Sequence, residues 1–187
     1  MKKLINMLMF CVALLYTSSF AQNADYKNEP GYIDFGDLSS MESGDNVTEV
    51  TLDEKLLKLA AGFQKKGHQE FNNLLSGLKL VKVNSFAVSP KNEERVYNKM
   101  KSLDQELTRN NWSRIVKTRE HGSNANVYIK TNGNNNVVGL VVTTVSPKGE
   151  ASFINIVGNI DLETISSLSE NFNIPSLDSV GHNRKRH

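Results

Sequence analysis

At 187 residues, with 39% hydrophobic and 22% charged side chains, the chain is long enough for one domain with a real core and too short for two comfortable ones. The single cysteine, Cys11, lies inside an N-terminal apolar run, which excludes a disulfide framework and a cysteine-ligated metal from the remainder. The formal charge of +2 is distributed unevenly, and no apolar stretch reaches the roughly twenty residues that a bilayer-spanning helix needs.

Lys2 and Lys3 precede the apolar run Leu4 to Tyr16, and the small-residue site Ser19-Phe20-Ala21 gives way to polar Gln22. That is the layout of a secretory signal peptide, so residues 1–21 are expected to be cleaved after Ala21 and the mature protein to be periplasmic or secreted. A lipoprotein signal would put cysteine at the cleavage point. Cys11 follows Met9-Phe10 in mid-run, so no lipid and no stable membrane anchor is expected. Residues 22–54 hold nine acids against Lys27 (net −8), residues 55–150 hold sixteen bases and seven acids (+9), residues 151–181 carry −4 and the tail +3. These cancel over the mature chain, and the acidic N-terminal segment is expected to lie near the basic middle.

Residues 22–46 read as a flexible acidic leader, with one short strand candidate at Tyr32-Ile33-Asp34-Phe35 and a turn-prone cluster from Ser39 to Asn46. Val47 to Leu52 alternates as a strand with one polar face does. A helix is expected from Asp53, with Leu56, Leu59, Ala60 and Phe63 as its apolar stripe and Gly67 as its stop. A shorter helix carrying Phe71, Leu74, Leu75 and Leu78 leads into a strand that ends near Val88. Ser89-Pro90 opens the longest helix, Ser89 as cap and Pro90 at the first helical position, with Val96, Met100, Leu103 and Leu107 facing the core.

From Trp112 the period becomes alternating. Residues 112–119, 126–130, 137–145 and 151–160 are strand candidates with hairpin-length links, and 137–145, the most apolar, belongs inside the sheet. Asp161 can cap a last helix through Leu162, Ile165, Leu168 and Phe172, and residues 175–187 read as a disordered basic tail. This order predicts a single α+β domain over 47–174, with helices packed on one face of a mainly antiparallel sheet that ends in a C-terminal four-strand meander.

The residues assemble no recognisable reaction centre. His68, His121, His182 and His187 lack the paired spacing of a zinc site, and there is no Gly-x-Ser-x-Gly elbow or phosphate-binding loop. Asn132 to Asn136 reads as a hairpin turn, and the acids from Asp34 to Asp45 lack calcium-loop spacing. No catalytic residue, cofactor or metal site is therefore assigned, and the protein is read as not an enzyme. Arg114, Lys117 and Arg119 share one strand, but alternation separates Arg114 from the other two, so all three are not expected to face one ligand. Export sets nucleic acid aside as a partner for the basic helix face and for Arg184-Lys185-Arg186; anionic lipid or lipopolysaccharide headgroups are the more available target, and a plain solubilising tail is the reading favoured over both. Asp178-Ser179-Val180 resembles a short O-glycosylation signal of secreted Bacteroidota proteins.

Several segments between Val47 and Leu168 carry a family resemblance: Val47 to Ala60, Leu75 to Val83, Val127-Tyr128-Ile129-Lys130, and Ile154 to Leu168 with its Gly158-Asn159-Ile160-Asp161-Leu162 core. Together they are similar to the secreted domain-of-unknown-function family 4252, found mainly in Bacteroidota. The resemblance implies an exported α+β domain and carries over no catalytic residue. The resulting expectation is an exported cell-envelope protein acting as a non-catalytic binding or sensing module, with an unknown protein or envelope component as partner. The alternatives are a hydrolytic enzyme with an unrecognised site and a structural component of a surface assembly.

Overall fold

Residues 25–42, 47–63, 75–120 and 123–160 are described by the computed structural model. Six segments that mix β-branched with other apolar residues become strands: β1 (Val47–Asp53), β2 (Leu78–Ala87), β3 (Ser113–Glu120), β4 (Ser123–Thr131), β5 (Val137–Val145) and β6 (Glu150–Ile160). They form one sheet in the order β1-β2-β6-β5-β4-β3, with every neighbouring pair antiparallel. The last four strands follow one another by hairpins, so β5 is internal and β3 and β1 are the two edges. Asn132 closes the β4–β5 turn: its Oδ1 accepts from the Asn134 and Asn136 amides at 3.0 and 3.1 Å, while Asn135 takes a positive φ.

The register aligns like with like across the sheet. Val50, Val83, Ile154, Val142, Val127 and Val116 lie directly opposite one another in one row spanning all six strands, the cross-strand pairing that stabilises a pleated surface. From Val83 to Val116 this row belongs to one apolar cluster, which also holds Leu57, Val81, Leu140 and Ile156. The opposite face carries a second cluster with Phe86, Tyr128, Val141, Val145 and Phe153.

The two longest described helices, α1 (Glu54–Phe63) and α2 (Glu93–Arg109), lie on opposite faces of the sheet rather than on one. Leu57 of α1 joins the Val/Ile cluster, whereas Val96, Met100, Leu103 and Leu107 of α2 join the aromatic one. The α2 stripe is as its spacing predicts. The α1 stripe is not: Leu57 is fully buried, while Leu56 and Leu59 are 49% and 55% exposed and Ala60 is exposed as well. Asp53 caps the helix, its Oδ1 accepting from the Leu56 amide at 2.9 Å, and packing against the sheet buries Leu57.

The start of α2 also differs. Ser89 and Pro90 precede the helix in a turn, held because Asn92 Oδ1 accepts from the Ser89 amide at 2.7 Å and Asn92 Nδ2 donates to the Ala87 and Met41 carbonyls. At its other end Asn111 is left-handed; the Trp112 and Asn111 amides donate to the Leu107 and Thr108 carbonyls, a Schellman closure that turns Trp112 inward.

The segment read as a flexible leader is core. Ile33, Phe35, Leu38 and Met41 are all buried beside α2 in the aromatic cluster, and the Phe35 ring meets Phe153 edge-on. Asn155, fully buried on β6, fixes this strap to the sheet. Its Oδ1 accepts from the Ile33 amide at 3.0 Å and its Nδ2 donates to the Gly31 and Leu140 carbonyls at 3.0 and 3.2 Å. The strap crosses so close to β5 that a Cβ on Gly139 would lie 2.5 Å from the Gly31 Cα and 2.6 Å from the Trp112 ring, so glycine is required at the crossing. Further out, Lys79 pairs with Glu29 at 2.5 Å. The expected signal peptide, the expected helix beyond Asp161, the basic tail and most of the expected helix from Phe71 lie outside the described residues.

Candidate functional site

On the aromatic-cluster side, α2 runs beside the β3 edge and leaves a groove of about 310 Å³ between them. The helix contributes Tyr97, Asn98, Met100, Lys101 and Asp104; β3 contributes Arg114, Lys117 and Arg119; and Asn124 and Asn126 of β4 lie behind. Alternation alone would have turned Arg114 away from the other two basic residues, and the structure corrects that expectation. Ile115 is an extra residue in β3: the register passes from Arg114 opposite Tyr128 to Val116 opposite Val127. This β-bulge inverts the phase of the strand, so that Arg114, Lys117 and Arg119 oppose Tyr128, Asn126 and Asn124 and share one face. Ile115, left over, is 41% exposed.

At one end of the groove, Arg114 and Tyr128 converge on Asp104. Arg114 Nη1 donates to Asp104 Oδ1 at 2.6 Å, and the Tyr128 hydroxyl donates to the same oxygen at 2.8 Å. Three elements are thereby joined through one carboxylate. Burial, reinforced by the hydrogen bond to Asp104, pushes the Tyr128 phenol up to about 12 against the opposing pull of Arg114. The guanidinium of Arg114 is held above its ordinary range, first by its hydrogen bond with Tyr128 and then by the Asp104 charge.

The rest of the groove is cationic. Asp104 is the only acid among its lining residues and is taken up by Arg114 and Tyr128, whereas Lys101, Lys117 and Arg119 form no ion pair among the described residues. Behind them Asn126 is buried, with Nδ2 at 3.4 Å from the Thr143 hydroxyl, and Asn124 is buried near the start of β4. Ammonium, guanidinium and amide groups facing one concavity suit the recognition of an oxyanion.

Other residues weighed in the sequence fall elsewhere. All four histidines and Ser179 lie outside the described residues, as do the side chains of Phe63 and the tail cations. Trp112, Leu103 and Val141 are buried as expected. Among the described residues no three His, Cys, Asp or Glu side chains group so as to hold a metal ion, and no helix is long and apolar enough to cross a membrane.

The chain belongs to the family described as domain of unknown function (DUF4252), whose profile matches residues 41–168. No curated protein and no solved structure matches the chain significantly. The matched span begins at Met41, so nearly all of the strap lies before it, while α2, β3 and β4, which form the groove, lie within it.

Proposed function

We propose that this chain is an exported cell-envelope protein whose domain is a non-catalytic binding module acting through the groove between α2 and the β3–β4 hairpin. Export is supported by the charged start, apolar run and small-residue site before Gln22. Binding rests on one observation above all: the bulge at Ile115 gathers Arg114, Lys117 and Arg119 on the face that lines a concavity. A bulge next to a site is a device that re-aims side chains, and here it aims charge. The non-catalytic reading is supported by the groups that line the groove, since Asp104, the only carboxylate among them, is engaged by Arg114 and Tyr128 through its Oδ1.

The test pairs two screens on the purified mature chain. A broad hydrolase substrate panel should show no turnover. A thermal-shift panel of envelope components should yield ligands that raise the melting temperature of the parent and not of K117Q/R119Q. Turnover abolished by a single substitution in a folded protein would overturn the reading.

A further inference from the structure

We propose that the groove takes a ligand bearing two anionic groups, phosphate or carboxylate, spaced by one strand repeat; this rests on the binding-module reading above. Lys117 and Arg119 are two residues apart on one face of a strand, which sets their Cα atoms about 6.6 Å apart at 3.3 Å per residue. Lys101 stands on the facing helix, so the two strand cations and the helix cation bracket the concavity from both walls. A single small oxyanion can bind one strand cation closely together with Lys101. A ligand with two such groups engages both strand cations at once, each by a charge-assisted hydrogen bond. Arg114 plays a different part: pairing with Asp104 cancels the one negative charge in the lining and leaves the remaining cations unopposed. The amides of Asn124 and Asn126 lie behind Arg119 and Lys117 in the ladder, where they can donate to oxygens of the same ligand.

Both anionic groups can come from a lipid headgroup or from a soluble molecule, and the experiment separates these sources. Calorimetric titrations of the mature chain use orthophosphate, inorganic tripolyphosphate, and phosphatidylcholine vesicles with and without cardiolipin. Tripolyphosphate should bind about tenfold or more tighter than orthophosphate, and K117Q and R119Q should each weaken it by about tenfold, the loss of one charge-assisted contact. K148Q, which removes the same charge in the β5–β6 turn away from the groove, should leave the affinity unchanged. Affinity should fall as salt is raised, because the groove is open to solvent. Binding to cardiolipin vesicles that is lost in K117Q assigns the anion pair to lipid, and binding to tripolyphosphate alone assigns it to a soluble ligand; either supports the proposal. Equal affinity for orthophosphate and tripolyphosphate overturns it, as does an equal loss in K148Q, with the non-catalytic reading still standing. Release of orthophosphate from tripolyphosphate by the protein would instead overturn the non-catalytic reading itself.

Discussion

Asn155→Ala should detach the N-terminal strap and cost the domain about 3–6 kcal/mol. The side chain is fully buried and makes three hydrogen bonds, to the Ile33 amide and to the Gly31 and Leu140 carbonyls. A neutral intramolecular bond contributes about 1 kcal/mol net, so three give about 3 kcal/mol. Ile33 and Gly31 are themselves buried, and a buried amide or carbonyl left without a partner adds about 1–3 kcal/mol unless the strap peels away to reach water. Peeling carries its own loss, because Ile33 and Phe35 leave the aromatic cluster with it. Two readouts separate the possibilities. Urea denaturation gives the stability change, and hydrogen exchange of the Ile33 amide reports whether the strap opens locally ahead of the sheet. Asn155→Asp is the informative companion, since it keeps the acceptor for Ile33 while losing both donated bonds and burying a charge. The reasoning fails if Asn155→Ala stays within about 0.5 kcal/mol of the parent, the range of ordinary surface substitutions, and the Ile33 amide remains as protected as before.

Leu103→Ala should lose about 2–5 kcal/mol and Val141→Ala an amount near the lower end of that range, since both are fully buried in the cluster between α2 and the sheet; thermal melts coinciding with the parent would contradict the assigned faces. Ultraviolet titration should show one phenol, absent in Tyr128→Phe, ionising near 12. Because that pKa is raised from an ordinary 10, its stabilising contribution is fully present below pH 10 and lost as pH rises towards 12; a midpoint at the ordinary value would mean that the hydroxyl is wet. Mass spectrometry of the exported protein should place the N-terminus at or within a few residues of Gln22 without acyl modification; a mature chain retaining Cys11 refutes the signal-peptide reading.

Much of the secondary structure was legible because its periodicity is strong. The α2 stripe Val96, Met100, Leu103, Leu107 recurs at three- and four-residue steps, and all four residues are buried. Val137 to Val145 is apolar on both faces and lies inside the sheet. The misread elements are those in which the local pattern was degenerate. α1 holds Leu56, Leu57, Leu59, Ala60 and Ala61 in close succession, so several helical phases look equally apolar, and the sheet selects the one that buries Leu57. The strap mixes Ile33, Phe35, Leu38 and Met41 with Asp34, Gly36 and Asp37. It has neither period because it is neither helix nor strand between Tyr32 and Leu38. Its order comes from a residue more than a hundred positions away, and no local window contains Asn155.

The groove was hidden for a related reason. Strict alternation along β3 puts Arg114 at the parity of Val116 and Thr118, on the face that holds the Val/Ile cluster. An arginine there would bury a charge against apolar neighbours, at a cost of several kcal/mol. The adjacent pair Ile115-Val116 already signals a broken period, and an extra residue at Ile115 resolves the conflict by sending Arg114 to the polar face with Lys117 and Arg119. The bulge thus has two consequences that cannot be separated. It keeps a charge out of the core, and it concentrates three cations on an edge strand, where positive charge also discourages pairing with another sheet. Edge protection alone would be satisfied by cations pointing anywhere along β3. The proposed recognition role rests instead on these cations lining a concavity with α2, with one of them engaged by Asp104 and with Asn124 and Asn126 behind the others. Moving the bulge by deleting Ile115 should therefore dismantle the groove through Arg114 and Asp104, whereas K117Q and R119Q should change its charge and leave its shape intact.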